Sequence, residues 1–308
     1  MKDTKQVIDW TAYNRALVAR GNVTIWFSAS ALKKWQLPKT GSKGRPIYFS
    51  DLAIETCLTI KSVFRLPLRA TEGFVQSLVA MLKRDLRVPN YSTLSKRAKG
   101  LKIELKSFSN SESYDLVVDS TGVKLYGEGE WKVRTHGKSK RRKWMKLHLA
   151  IDPATHQIMS AAVTNGSRND GKTLPKLLKN HKKKLKKVYA DGAYNGLAVR
   201  QQIIKHGGKP VIPPRKNAAK SLFPKSRAER ERSDSVGRIR RIGRKNWKKE
   251  VGYHQRSLAE TGMFRLKTLT GERVSARKKA TIEAELLIRC NILNQMAALG
   301  MPCRGATI

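Results

Sequence analysis

The chain has 308 residues and carries 64 Lys+Arg against 23 Asp+Glu, a formal net charge of +41. At roughly 100–200 residues per domain this length suggests two or three domains, and an apolar fraction of 40% supplies a real core, which excludes disorder of the whole chain. A small soluble domain usually carries a net charge of about 2–8, so the surplus of positive charge here implies a polyanionic partner, nucleic acid by default.

Residues 1–48 set Trp10, Trp26, Phe27 and Trp35 among polar residues and end in the breaker-rich PKTGSKGRP. One or two short helices and a linker are expected there. Ser50 can cap a helix over 50–65, which Leu66-Pro67 ends. A second helix is expected over 69–86, with Phe74, Leu78, Met81 and Leu82 at helical spacing. Pro89-Asn90 breaks it, and 92–100 gives a short third helix bearing Lys96, Arg97 and Lys99. Helix, helix, turn, short basic helix is a helix-turn-helix-like pattern whose last helix can enter a major groove; the same residues also fit a small helical bundle with solvated lysines.

After Lys106 the hydrophobic period changes. Leu116-Val117-Val118 is a short apolar run leading into Asp119. Residues 144–151 alternate, with Met145, Leu147, Leu149 and Ile151 on one face, and the turn at 152–155 separates them from a third strand over 158–164. A helix over 169–180, a buried strand at Val188-Tyr189-Ala190, a helix over 195–206 stopped by Gly207-Gly208 and a fifth strand at Val211-Ile212 complete a mixed α/β sheet of five strands flanked by helices. The segment 215–249 is dense in Lys and Arg, holds only Glu229, Glu231 and Asp234 as acids, and has few apolar residues. It is therefore expected to be a loop or basic arm. A long helix over 249–269 and a last one over 281–299 close the chain. The division expected is an N-terminal helical DNA-binding region, 1–110, and an α/β domain, 111–308, with a basic insertion at 213–250.

Cys57, Cys290 and Cys303 are far apart, with no CxxC, so neither a disulfide framework nor a zinc ribbon is expected. No histidine pair has zinc spacing. The N-terminus, MKDTKQVIDW, has no apolar leader segment, and the late apolar stretch 283–301 carries Glu285, Arg289 and Asn291, too polar for a bilayer. A cytoplasmic, nucleoid-associated protein without a membrane partner is expected. The absence of GxxxxGK[ST] implies no nucleotide cofactor.

Three acidic residues stand out by position: Asp119 ends the first strand in VVDSTG, Asp191 follows the fourth in YADGAY, and Glu260 sits mid-helix in YHQRSLAETGMFRLK. In so basic a chain, carboxylates converging on one sheet edge make chemical sense if they hold cations. Two Mg²⁺ ions about 3.5–4 Å apart activate a nucleophile and stabilise a leaving oxygen in phosphoryl transfer, and Mg²⁺ takes few carboxylates plus waters and substrate phosphates. At about 100° per residue, Tyr253, Arg256, Glu260 and Lys267 share one helix face while Val251, Leu258, Leu266 and Leu269 lie opposite. Periodicity alone also allows a solvated polar face with an Arg256–Glu260 pair, and Asp beside Ser-Thr-Gly or Gly often marks only a turn.

The spacing Tyr253, two residues, Arg256, three residues, Glu260, six residues, Lys267, with the contexts of Asp119 and Asp191, resembles the bacterial insertion-sequence transposases of the DDE class over residues 50–300. The resemblance implies an RNase H-like catalytic domain, in agreement with the element order. It implies that Asp119, Asp191 and Glu260 are the catalytic triad and hold Mg²⁺, with Mn²⁺ as a substitute and two ions in the family's manner, and that Tyr253, Arg256 and Lys267 hold DNA. Lys146 and His148, on the strand face away from Leu147 and Leu149, are further phosphate-contact candidates whose alternative is a solvated face. Ser92, Thr93, Lys96 and Arg97 are the expected contacts to terminal inverted repeats; the run 138–143 and segment 215–249 are expected tracks for flanking DNA. The implied activity is cleavage at the element's ends followed by joining of the 3′-OH to target DNA, with two ends paired by at least a dimer. Two rivals share parts of these features: an RNase H-like nuclease without strand transfer, and a non-enzymatic basic DNA-binding protein.

Overall fold

The computed structural model describes residues 9–27, 29–38, 47–108, 112–125, 144–179 and 184–301. The run 138–143 and Cys303 lie outside them. The chain forms two compact units, one of residues 1–104 with 268–308 and one of residues 105–267. The C-terminal residues thus group with the N-terminal helices and not with the sheet.

The first unit is helical. After α1 (Trp10–Ala19) and α2 (Ala29–Lys33) come α3 (Asp51–Val63), α4 (Leu68–Met81), α5 (Tyr91–Arg97) and, from the C-terminal end, the last helix, Lys279–Ala298. Ser50 caps α3 as expected, its Oγ accepting the Ala53 amide at 3.1 Å. Asn90 caps α5, accepting the Thr93 amide at 2.8 Å. Trp35, Ile54, Cys57, Ile60, Val75 and Leu94 form one core with Ile288 and Ile292 of the last helix. That burial explains why the third helix is a packed element: Leu94 is fully enclosed while Lys96 stays exposed.

The second unit holds β1 (Ser113–Leu125), β2 (Trp144–Ile151), β3 (Ile158–Asn165), β4 (Lys184–Tyr189) and β5 (Lys209–Val211), joined side by side in the order β3-β2-β1-β4-β5. β1–β2 and β2–β3 are antiparallel, β1–β4 and β4–β5 parallel. This is the mixed sheet expected from the element order, and its topology is RNase H-like. β1 is far longer than its apolar run, because Asp119, Ser120, Thr121 and Gly122 continue the ladder with β2 down to Lys124 opposite Trp144.

Helices cover the sheet. One face packs Leu116, Val118, Ala150 and Ala162 against α6 (Leu174–Leu178) and α7 (Leu197–Lys205). The other places Val117, Tyr189 and Val211 against Ala259. With both faces covered, the strands lose the polar side that alternation suggests.

The basic segment is mostly helix. α8 (Arg227–Glu250) starts at Ser226, whose Oγ accepts the Glu229 amide at 3.2 Å, and Glu229 in turn accepts the Lys225 amide at 2.7 Å. Its apolar stripe is only Ala228, Val236 and Trp247, buried with Ser233, too sparse to show as a period in the sequence. Gly243 interrupts it at φ 80° and ψ 155°, a kink that essentially only glycine adopts. The helix expected over 249–269 is also revised. Gly252, at φ 72°, ends α8's run, Tyr253–Arg256 form a 3₁₀ turn, and α9 proper is Ser257–Thr270. The last helix of the first unit, Lys279–Ala298, is α10. Among the described residues no helix is long and apolar enough to cross a membrane.

Candidate active site

Parallel β4 stops at Tyr189 opposite Val117, and Asp119 lies on β1 two residues beyond that last β4 partner. Asp191 follows just beyond the end of β4. Its Oδ1 accepts the Ala193 amide at 2.9 Å and caps the 3₁₀ turn Gly192–Tyr194. Asp119 Oδ1 accepts the Ser120 amide at 2.8 Å. Glu260 is in the first turn of α9, where a carboxylate complements the helix dipole.

Arg256 ties two of these groups together. Its Nη1 donates to Glu260 Oε1 at 2.5 Å and its Nη2 lies 3.6 Å from Asp119 Oδ2. Burial raises the Asp119 carboxyl above its ordinary range; the Ser120 amide and Arg256 oppose the rise, while the charges of Asp191 and Glu260 add to it. The charges of Asp191 and Glu260 therefore both reach Asp119. Tyr253 is in the same field. Burial raises its phenol, Arg256 lowers it, and Asp191, Asp119 and Glu260 raise it again. Its ring lies 6.3 Å from that of Trp247, with Lys248 Nζ 5.3 Å from its centroid.

The donor set is of hard oxygens, the chemistry that suits Mg²⁺ or Mn²⁺. It is an open arrangement: among the described residues no three Asp, Glu, His or Cys side chains stand close enough to cage an ion. In the structure Arg256 is the cation that Asp119 and Glu260 share.

Other expected site residues lie elsewhere. Lys267, on α9, is half-buried. Lys146 does not reach out from the sheet; its Nζ is 2.7 Å from Asp170 Oδ1 and donates to the Arg168 carbonyl at 3.3 Å. His148 is fully buried, a correction to its expected place on an open face, because α6 and α7 close that side. Its Nε2 is 2.8 Å from Thr164 Oγ1 and its Nδ1 is 3.9 Å from Asp170. Burial is the main reason its imidazole falls to about 4, with Asp170 opposing and Lys146 and Arg168 reinforcing the fall.

Asp170 is not legible in the sequence as a site neighbour, since NDG reads as a turn. Yet burial, then Asp170, Asp119 and Asp191, all raise the Tyr194 phenol, whose Oη is buried without a hydrogen-bond partner among the described residues. In the helical unit, Ser92 Oγ donates to Asn90 Oδ1 at 3.0 Å, and Thr93 joins the same cap through its amide. Arg97 donates to the Phe49 carbonyl at 2.9 Å and pairs with Asp51 at 2.5 Å, which leaves Lys96 as the exposed cation of α5.

Two family models, each described as a transposase DDE domain, match the chain, one over residues 18–128 and the other over residues 110–295. Among solved structures, the chain is similar to one described as a cryo-EM structure of the piggyBac transposase synaptic complex with hairpin DNA. The identity there is 9% and the TM-score 0.40, with 97% of this chain and 76% of that chain covered. The second family match takes in Asp119, Asp191, Glu260 and the sheet that carries them, more than half of the 308 residues, and by it the chain belongs to the DDE transposase family.

Proposed function

We propose that the chain is the transposase of a bacterial insertion sequence, cleaving the ends of its element and joining the exposed 3′-OH to target DNA. The observation that supports this reading is the setting of Asp119, which the charges of Asp191 and Glu260 both reach and which Arg256 pairs with while also holding Glu260. Divalent cations, Mg²⁺ or Mn²⁺ and two in the family's manner, supply a charge that lowers the pKa of water and steadies the leaving oxygen.

Asp119, Asp191 and Glu260 hold that charge and fix where a scissile phosphate can lie. Arg256, once Asp119 is otherwise neutralised, is free to pair with a phosphate in bidentate fashion. Lys267 extends the cationic side of α9, and Tyr253 positions the backbone or stacks on a base. Cleavage and joining are both in-line displacements at phosphorus, so one site serves both. In the helical unit, Ser92, Thr93, Lys96 and Arg97 on α5 recognise the terminal inverted repeats. Pairing of two ends calls for at least a dimer. The working place is the cytoplasm, on the nucleoid.

The test uses DNA carrying the element's ends, protein and Mg²⁺, with Asp191→Asn as control. New 3′ ends at the repeat edges, joined products, and loss of both in Asp191→Asn are expected. Cleavage without joined products means an RNase H-like nuclease. Binding without metal-dependent breakage, equal in wild type and variant, means a basic DNA-binding protein and overturns the triad.

A further inference from the structure

Next to Asp191 the sheet unit opens a cavity of about 630 Å³. Gly192 and Ala193, which follow Asp191, form one wall, and the first turn of α7 forms another. Lys172, Arg215 and Arg232 line it, and no carboxylate does. These three cations come from separate places in the chain: the turn before α6, the loop after β5, and α8. Among the described residues none of the three takes part in an ion pair.

Hydrogen-bonded to Asn195 of that lining is Arg200, fully buried, with Nε and Nη1 lacking a hydrogen-bond partner among the described residues. Its Nη2 donates to Asn195 Oδ1 at 3.1 Å, and Asn195 lines the cavity; the other acceptor is the Ile212 carbonyl at 2.6 Å. Burial pushes the Arg200 guanidinium down to about 10, the like charge of Arg232 adds to that fall, and Glu231 opposes it. Buried charges are normally paired, so the wall carries positive charge short of its counter-charge. An anion in the cavity would supply it, and the uncapped amides at the start of α7 would add neutral donors.

We infer that this cavity binds a phosphate group, supplied by the DNA backbone as it passes the candidate active site. The inference rests on the proposed function only for the source of the phosphate, and its test involves no cleavage. The full-length protein and Arg215→Ala/Arg232→Ala would be titrated with duplex DNA over a salt series and with duplexes carrying one neutral methylphosphonate each. Lys205→Ala/Lys209→Ala, which removes the same charge from exposed positions away from the cavity, is the control. Inorganic phosphate would be titrated in parallel by calorimetry.

The expected result is a salt slope shallower by about 0.9 log units per log salt for each phosphate that the protein no longer neutralises, greater in the cavity variant than in the control. One methylphosphonate position should weaken the wild type and the control but not the cavity variant. Inorganic phosphate binding that disappears in the cavity variant, with DNA binding equal to the control, would keep the phosphate site and overturn DNA as its source. Equal behaviour of both double variants toward DNA and toward phosphate overturns the inference. A protein that fails to cleave but shows the methylphosphonate effect loses the transposase reading and keeps the cavity.

Discussion

Arg256 stands between Asp119 and Glu260, 2.5 Å from the carboxylate four residues further along the chain and 3.6 Å from the other, which comes from the centre of the sheet. The two pairs differ in kind. Glu260 is 60% exposed, so its pair with Arg256 is worth at most about 0.5 kcal/mol to the fold. Asp119 is largely enclosed, at 15%, and there the guanidinium counters the repulsion of its two acidic neighbours, Asp191 and Glu260.

Arg256→Ala should therefore separate activity from stability. Unfolding by urea is expected to shift by less than about 1 kcal/mol, while metal-dependent cleavage falls on the order of a hundredfold, the usual cost of removing a charge-stabilising donor. A loss of cleavage matched by an equal loss of folded protein would assign Arg256 to the fold alone.

The raised Asp119 carboxyl gives a stability prediction with a definite sign. Because its folded pKa lies above the unfolded one, Asp119 takes up a proton more readily folded than unfolded. Its favourable contribution is complete below the ordinary carboxylate range and is lost as pH rises through the folded pKa. Asp119→Asn removes the buried charge, so in chelator its melting temperature at pH 7 should exceed that of the wild type. The gap should close as the pH falls below about 4. A variant less stable than the wild type at pH 7 would mean that the Arg256 pairing outweighs the burial.

His148 works in the opposite direction. Its imidazole stays neutral down to about 4, against 6.5 for the free side chain. The unfolded chain therefore binds a proton that the folded one refuses between those values, and stability falls as pH drops from 6.5 to 4. The full difference is about 3 kcal/mol. Urea unfolding at about pH 7.5 and about pH 5, on either side of the free imidazole's ordinary value, should show part of that loss in the wild type and less of it in His148→Asn. Identical pH dependence in the two proteins would exclude His148 as its source.

The order of elements, the cap at Ser50 and the place of Asp191 just past a strand are readable in the sequence because each rests on local chemistry, whereas Asp119, expected at the end of its strand, lies inside β1, whose ladder with β2 carries on to Lys124. Three other features rest on tertiary packing. His148 looks like a surface residue by alternation, but Leu174, Leu177 and Leu178 close that face. The basic segment looks structureless by composition, yet a stripe as thin as Ala228, Val236 and Trp247 is enough to seat α8. The continuous helical wheel from Tyr253 to Lys267 breaks at Arg256, since Gly252 turns the chain and Tyr253 enters through a 3₁₀ turn. The four signature residues are thus carried by two elements where one was expected.

The seat of α9 offers the closest test of how the fold positions Glu260. A Cβ at Gly262 would come within 2.5 Å of Ile151 Cδ1 on β2, and Ile151 is 1% exposed with no room to retreat. Gly262 is two residues from Glu260, so α9 lies as near the sheet as it does because this position has no side chain. Alanine gains about 1 kcal/mol of helix propensity over glycine, and this gain should be more than cancelled by the clash. Ile151→Val deletes the offending methyl at a cost of about 0.5–1.5 kcal/mol on its own. In the double variant the freed space accepts the new Cβ and the propensity gain returns, so the two changes should couple favourably by about 1 kcal/mol or more. Cleavage should follow the same pattern, falling in Gly262→Ala as α9 lifts and recovering in the double variant. Strict additivity in both stability and cleavage would mean that α9 reaches its place without this close approach.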